Sequence, residues 1–302
     1  MNAVLNFAVG VLIYPGVLVA LLAAWALAWV RESARGALSG GAVSNPLRSL
    51  AELRTTYERE SIIPEGAQPA VLAFASTAAI IVPVLALILL PIPGNPLTSV
   101  LGLTGDLAVE GALLLALPLL RLLLGWAVPS PYTRLAADRG VRLMAGVALP
   151  MALALAANAQ QFSNLALVQS KETSGSSNVL SMVAFVLAAA AFVYIIPALA
   201  RLTPLQQDEG ELDVVAGELS ELSGRDLAFF RLGEWVQLVA VAGLFVAVFL
   251  QPIFAGVRTG TGEAILWIAG ILLTTLGIGV ADAFRSRGLT QRTDSPLDWW
   301  SG

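Results

Sequence analysis

Seven apolar stretches, each about as long as a bilayer is thick, constrain this chain more than any other feature. They run over Asn6–Val30, Pro69–Leu90, Leu107–Val128, Leu143–Leu167, Val179–Ala200, Phe229–Phe254 and Ala264–Asp282. A helix needs roughly 20 apolar residues to cross the hydrocarbon core, and inside it every backbone N–H and C=O must find a partner within the protein. Helices of this length satisfy both demands. The expected fold is all-α, a polytopic transmembrane helical bundle of about seven spans, with residues 1–302 forming a single integral membrane domain. The first stretch lacks a basic leader and is too long for a secretory signal, so it reads as a span. Composition agrees: 57% of the 302 residues are hydrophobic and 13% are charged, against roughly 25% charged in an average soluble domain.

The basic residues orient the bundle. Arg31, Arg35, Arg48, Arg54 and Arg59 fall in the first loop, 31–68, and Arg134, Arg139 and Arg142 in or beside the third. Arg201, Arg225 and Arg231 flank the fifth, and Arg285, Arg287 and Arg292 lie in the tail. Only Lys171 and Arg258 lie opposite, with Arg121 inside a span. The positive-inside rule then predicts N-out, C-in, with 31–68 and 201–228 as long cytoplasmic loops. In the first, Ala51–Ser61 reads as an amphipathic helix stopped before Pro64 and Pro69.

The chain has no His and no Cys. It therefore offers no imidazole or thiolate for zinc, haem or iron–sulfur ligation, and no Ser-His-Asp or Cys-His nucleophile. A net charge of −4 without a basic tract argues against nucleic acid. The chemistry left is that of carboxylates and arginines. Asp208, Glu209, Glu211, Asp213, Glu218, Glu221 and Asp226 crowd the fifth loop, where mutual repulsion favours protons, cations or partner groups; a hydrated acidic surface is the plainer reading. Glu234 stands among Phe229, Phe230, Leu232, Trp235 and Val236 at a span's start. Arg121 stands among leucines, about 10 Å from the interface by helical rise. Both are costly in a membrane unless paired or facing a polar cavity. Snorkelling would serve Arg121; pairing with Glu234 or Asp282 is the sharper reading, because Glu110 lies about three turns away on the same helix.

Residues Gly217–Trp235 read Gly-Glu-Leu-Ser-Glu-Leu-Ser-Gly-Arg-Asp-Leu-Ala-Phe-Phe-Arg-Leu-Gly-Glu-Trp. The stretch resembles the Glu-Tyr-Ser-Gly…Leu-Ala-Glu-Tyr segment of subunit 1 of respiratory complex I, the NADH:quinone oxidoreductase. Its Ser-Gly-Arg-Asp-Leu-Ala, 223–228, is closer to the homologous membrane subunit of energy-converting [NiFe]-hydrogenases, including formate hydrogenlyase. Arg201 and Pro204 resemble the Arg-x-Pro that opens the same loop. Pro46–Pro64 resembles the family's amphipathic helix, with Glu52 at an Asp position and Arg59-Glu60 at Lys-Glu. Gly105-Asp106-Leu107 followed by Arg121 resembles a hydrogenase-type helix, and Gly125-Trp126-Ala127, Tyr132, Arg139 and Pro150 a complex I segment. The departures are Ala148 for a membrane Glu, Leu222 for Tyr, an uncharged Gly36–Asn45, and an ending at Trp299-Trp300-Ser301-Gly302 that reads as lacking the family's last span.

The resemblance implies a membrane anchor and coupling subunit that links electron transfer in a peripheral arm to proton or Na⁺ translocation in the cell's inner membrane. Coupling would run through Glu211, Asp213, Glu221, Glu234, Arg139, Arg121 and Asp282. Docking would use Glu52, Arg59, Glu60, Arg201, Asp208 and Glu209. The chain itself would bind no cofactor; a [NiFe] centre or quinone site and [4Fe-4S] clusters would lie in or with partners. Those partners would be a hydrogenase-large or 49-kDa-like subunit, a [4Fe-4S] small subunit and antiporter-like membrane subunits, besides the lipid bilayer. Ser223–Ala228 and Arg121 favour the hydrogenase-like branch over a quinone-binding subunit 1. A standalone carboxylate-based transporter, for which no internal repeat is found, and a passive anchor remain as other readings.

Overall fold

The computed structural model describes residues 2–38, 45–95, 97, 105–167, 178–200, 219, 221–253 and 260–284. Its helices are α1 (Asn2–Leu12), α2 (Val17–Leu38), α3 (Pro46–Glu58), α4 (Pro69–Leu89), α5 (Leu107–Ala127), α6 (Pro131–Phe162), α7 (Val179–Leu199), α8 (Gly224–Phe245) and α9 (Gly260–Phe284). Helix α8 runs on through a π-turn at Val246–Leu250. Among the described residues, seven helical stretches are long and apolar enough to span a membrane, as expected.

Helix α8 is the centre of the bundle, packed against α4, α2, α3, α7 and α9. Of the seven spans it is the most enclosed, 78% of its apolar window being buried. It is accordingly apolar on all sides apart from a few polar positions, the pattern of a core helix. Helices α5 and α6 pair beside it, α7 covers α6, and α9 closes on α2. At one end, the α3 face, the Gln68 N–H donates to the Ala127 carbonyl at 3.1 Å, tying the start of α4 to the end of α5. At the far face, Asp106 and Ala166 form an antiparallel bridge between the start of α5 and the end of α6.

Several boundaries differ from the sequence expectation. The first span is two helices, broken where Pro15 lacks a donor and the Gly16 N–H turns back to the Gly10 carbonyl. Helix α2 continues to Leu38, so the loop that follows starts later than residue 31. Helix α3 covers Pro46–Glu58 rather than Ala51–Ser61, because Pro46 opens it and the Asn45 side chain accepts from the Leu47 N–H. Helix α6 begins at Pro131 instead of Leu143; its first turns are polar and mostly exposed, so hydropathy hides them. Helix α8 begins at Gly224 instead of Phe229, which takes Asp226 out of the acidic loop and into a helix.

Candidate functional site

Arg121, on α5, is 1% exposed and forms an ion pair through Nη2 with Oε1 of Glu234 on α8. Of the two expected partners, Glu234 is thus paired with Arg121, and the Asp282 side chain lies outside the described residues. The pair is asymmetric: the Glu234 side chain keeps 25% of its surface open, so one end is sealed in the bundle and the other is reachable. Helices α4 and α8 come close enough beside it only because Gly233 has no side chain; a Cβ there would stand 2.2 Å from the Ala79 carbonyl oxygen.

Above the pair, toward the α3 face, Ser223–Asp226 holds three elements together. Ser223 Oγ donates to the Glu60 carbonyl at 3.1 Å and accepts the Ile62 N–H at 2.7 Å. The Arg225 N–H donates to Ser61 Oγ at 3.2 Å. Gly224 has φ +61°, and a Cβ on it would lie 2.6 Å from the Arg59 carbonyl, so glycine is required twice over. The Arg225 guanidinium stands 5.7 Å above the Tyr57 ring of α3, and Ser76 Oγ of α4 donates to Asp226 Oδ1 at 2.7 Å. Leu222, where the resemblance has Tyr, is buried with Leu219 against Leu72, Leu117, Leu120 and Phe230.

The other expected site residues are distributed as follows. Glu221 is half-buried in the turn before Leu222, and Arg139 is half-buried on α6. Glu52 is exposed and engaged by Arg48 of its own helix at 2.9 Å, an i,i+4 pair that holds the Arg48 guanidinium above its usual pKa through that hydrogen bond. Arg59 and Glu60 are exposed, and their backbone carbonyls face the Ser223–Gly224 turn. Asp282 lies in the last turn of α9, its side chain outside the described residues; Arg201, Asp208, Glu209, Glu211 and Asp213 also lie outside them.

Sequence reasoning gave no role to three buried polar residues. Gln237 on α8 donates to the Leu114 carbonyl at 2.7 Å, and Asn158 on α6 to the Val248 carbonyl at 2.8 Å. Glu110 on α5 is fully buried. A signal did exist for the first two: Pro118 and Pro252 each stand four residues after the carbonyl concerned, and proline supplies no N–H to it.

Seven membrane-length helical stretches among the described residues, an α5–α8 ion pair whose arginine is buried, and a polar clasp over one face define a multi-pass membrane protein built around α8. Its family is shown by comparison: the chain belongs to the NADH dehydrogenase family, that of complex I subunit 1, whose family model matches residues 8–284. It is 28% identical over 247 residues to the H subunit of the NADH-quinone oxidoreductase of Syntrophotalea carbinolica, covering 75% of this chain and 73% of that one. It is 29% identical over 212 residues to an H subunit of the same enzyme in Geobacter metallireducens, covering 68% and 64%. The fold superposes on a chain of the membrane-bound sulfane sulfur reductase, an archaeal respiratory membrane complex, with TM-score 0.80 and 17% identity, covering 99% of this chain and 96% of that one. The protein is a membrane subunit of a complex I-like assembly.

Proposed function

We propose that this chain anchors a peripheral electron-transfer arm on its α3 face and couples events there to the movement of H⁺ or Na⁺ across a cytoplasmic (inner) membrane. The observation that carries the reading is the Arg121–Glu234 pair lying beneath the Ser223–Asp226 clasp. A buried cation holds one carboxylate in place, and a change of charge at the α3 face would shift that carboxylate's balance between arginine and solvent. The α3 face is the cytoplasmic one, by the basic-residue bias of its loops.

Docking falls to the acidic loop with Asp208, Glu209, Glu211 and Asp213, together with Arg201, Glu52, Arg59 and Glu60. Glu211 and Asp213 of that loop, with Glu221, Glu234, Arg121, Arg139 and Asp282, carry the coupling. The [NiFe] centre and [4Fe-4S] clusters belong to partner subunits, because this chain has no Cys to ligate them, and a quinone site would lie in or with those partners; antiporter-like subunits complete the membrane part. The hydrogenase-like branch is favoured by Arg121, whose pairing with Glu234 uses a residue the sequence shares with that branch. The quinone-type reading rests on the NADH-quinone oxidoreductase relatives.

Glu234→Gln keeps size and hydrogen bonding and removes the charge. In vesicles carrying the whole complex it should assemble normally and lose ion translocation by more than about tenfold. Wild-type translocation at wild-type assembly would remove Glu234 from the mechanism. Charge reversal at Glu211 plus Asp213 should release the peripheral subunits; a fully assembled, fully active complex would make that loop a mere solvated surface.

A further inference from the structure

Glu110, Leu114, Leu117 and Arg121 follow one another at spacings of four, three and four along α5, so they form a single stripe. All four are buried. The stripe faces α8 at two points: Arg121 pairs with Glu234, and the Leu114 carbonyl takes the Gln237 amide. Glu110 is its end toward the far face, roughly 16 Å from Arg121 by helical rise. Neither carboxyl oxygen of Glu110 has a hydrogen-bond partner among the described residues, and neither do Gln237 Oε1 and Asn158 Oδ1, all of them buried.

The carboxyl of Glu110 lies against Gly105, where a Cβ would stand 2.7 Å from Oε1. Gly105 cannot bond to it, because its N–H donates to the Leu89 carbonyl at 3.0 Å and its carbonyl accepts from the Leu167 N–H at 3.2 Å. Nothing else nearby among the described residues neutralises a charge. Helix α4 has no ionisable residue; those of α6 (Tyr132, Arg134, Asp138, Arg139, Arg142) and α8 (Arg225, Asp226, Arg231, Glu234) all lie toward the α3 face. On α5 itself there are Arg121, already paired, and Asp106, exposed one turn beyond Glu110. A bare carboxylate in such surroundings is very costly, and buried polar groups are normally partnered, so a Glu110 with neither oxygen engaged calls for an explanation.

We propose that Glu110 is a binding site for a small monovalent cation, H⁺ or Na⁺. It closes the far-face end of the polar stripe that begins at Arg121–Glu234, and Gln237 lies between them. The bridge of Gly105–Leu107 against Leu165–Leu167 lies on the far-face side of this site. In H⁺ form the carboxyl is a neutral acid; in Na⁺ form its two oxygens are ligands. This deepens the coupling function proposed above and rests on it for its role, but the site itself can be tested separately.

The test uses native membranes containing the whole complex and dicyclohexylcarbodiimide, an apolar reagent that adds to protonated carboxyls, with mass mapping of the modified residue. Labelling of Glu110 that falls as pH rises and is indifferent to Na⁺ identifies a proton site. Labelling that Na⁺ slows several-fold, where choline at equal ionic strength does not, identifies a sodium site. A Glu110 that stays unlabelled at every pH, or is labelled at one rate whatever the pH and Na⁺, overturns the proposal. Glu110→Gln should assemble and lose ion translocation about tenfold, and wild-type translocation would remove the site from the path. Should Glu234→Gln pump normally, the coupling role assigned to the Arg121 pair fails, while the labelling still decides whether Glu110 binds a cation.

Discussion

Gln237 on α8 donates a 2.7 Å hydrogen bond to the Leu114 carbonyl of α5, the one carbonyl in that turn that Pro118 leaves without a helical donor. The same device recurs around α8. Pro83 leaves the Ala79 carbonyl free, and it lies against Gly233, whose Cα–H it can meet at close range. Pro252 leaves the Val248 carbonyl free, and Asn158 fills it. Prolines in a membrane helix are tolerated where neighbours satisfy the freed groups, and here the satisfied groups fix the register of α4, α5 and α6 on α8.

Removing the Gln237 amide should therefore expose a defect that removing the proline repairs. Gln237→Leu strands a buried carbonyl and should cost about 1–3 kcal/mol. Pro118→Ala restores an N–H for Leu114, so the double variant should be closer to wild type than the sum of the two single costs. Thermal unfolding of the detergent-purified protein measures both, and simple additivity would mean that the bond is incidental.

The Arg121–Glu234 pair should behave as a unit. Removing one partner of a buried ion pair costs about 3–5 kcal/mol because the other charge is left alone. Arg121→Leu leaves a Glu234 that is still partly open to solvent, whereas Glu234→Gln leaves the sealed Arg121 guanidinium facing a neutral amide in place of a charge. The double variant should fall well short of the summed effects, in stability and in translocation alike.

At the clasp, Gly224→Ala forces a positive φ on a residue with a Cβ and drives that atom into the Arg59 carbonyl. The cost should be about 1–3 kcal/mol. Ser223→Ala removes one donor and one acceptor at a half-buried site and should cost about 1 kcal/mol. Limited proteolysis between α3 and α4 reports the clasp directly; equal cleavage of both variants and wild type would show that α3 is held by other contacts.

The seven spans, and the need of Arg121 for a carboxylate with Glu234 as one of two candidates, were legible from the sequence because both follow from the cost of polar groups in hydrocarbon. Span lengths need only hydropathy, and Arg121 needs a carboxylate, of which few lie at its depth. The polar first turns of α6 were not legible, since Arg134, Asp138, Arg139 and Arg142 look like loop until Pro131 is read as a helix start. Ser223–Asp226 looked like a loop motif with carboxylates, whereas its main contacts are backbone groups of Glu60 and Ile62 and the hydroxyl of Ser61. Such contacts leave no mark in composition. Glu110 was visible as a carboxylate, but its lack of a partner depends on where Gly105, Leu89 and Leu167 are folded around it.

The orientation gives the last prediction. Fourteen of the seventeen basic residues fall in segments that alternate to one side, and Lys171 and Arg258 to the other. The bias is set by loops near the span ends, where the positive-inside rule applies. The chain has no native Cys, so single cysteines can be placed without a background. Cys at Asn2 should react with a membrane-impermeant maleimide added outside intact cells, and Cys at Glu58 on α3 only after permeabilisation. Position 58 is exposed on the α3 face, so a failure to label there would reflect the barrier rather than burial. Labelling of Asn2→Cys only from the inside would invert the topology and, with it, place the Ser223–Asp226 clasp on the side away from the cytoplasm.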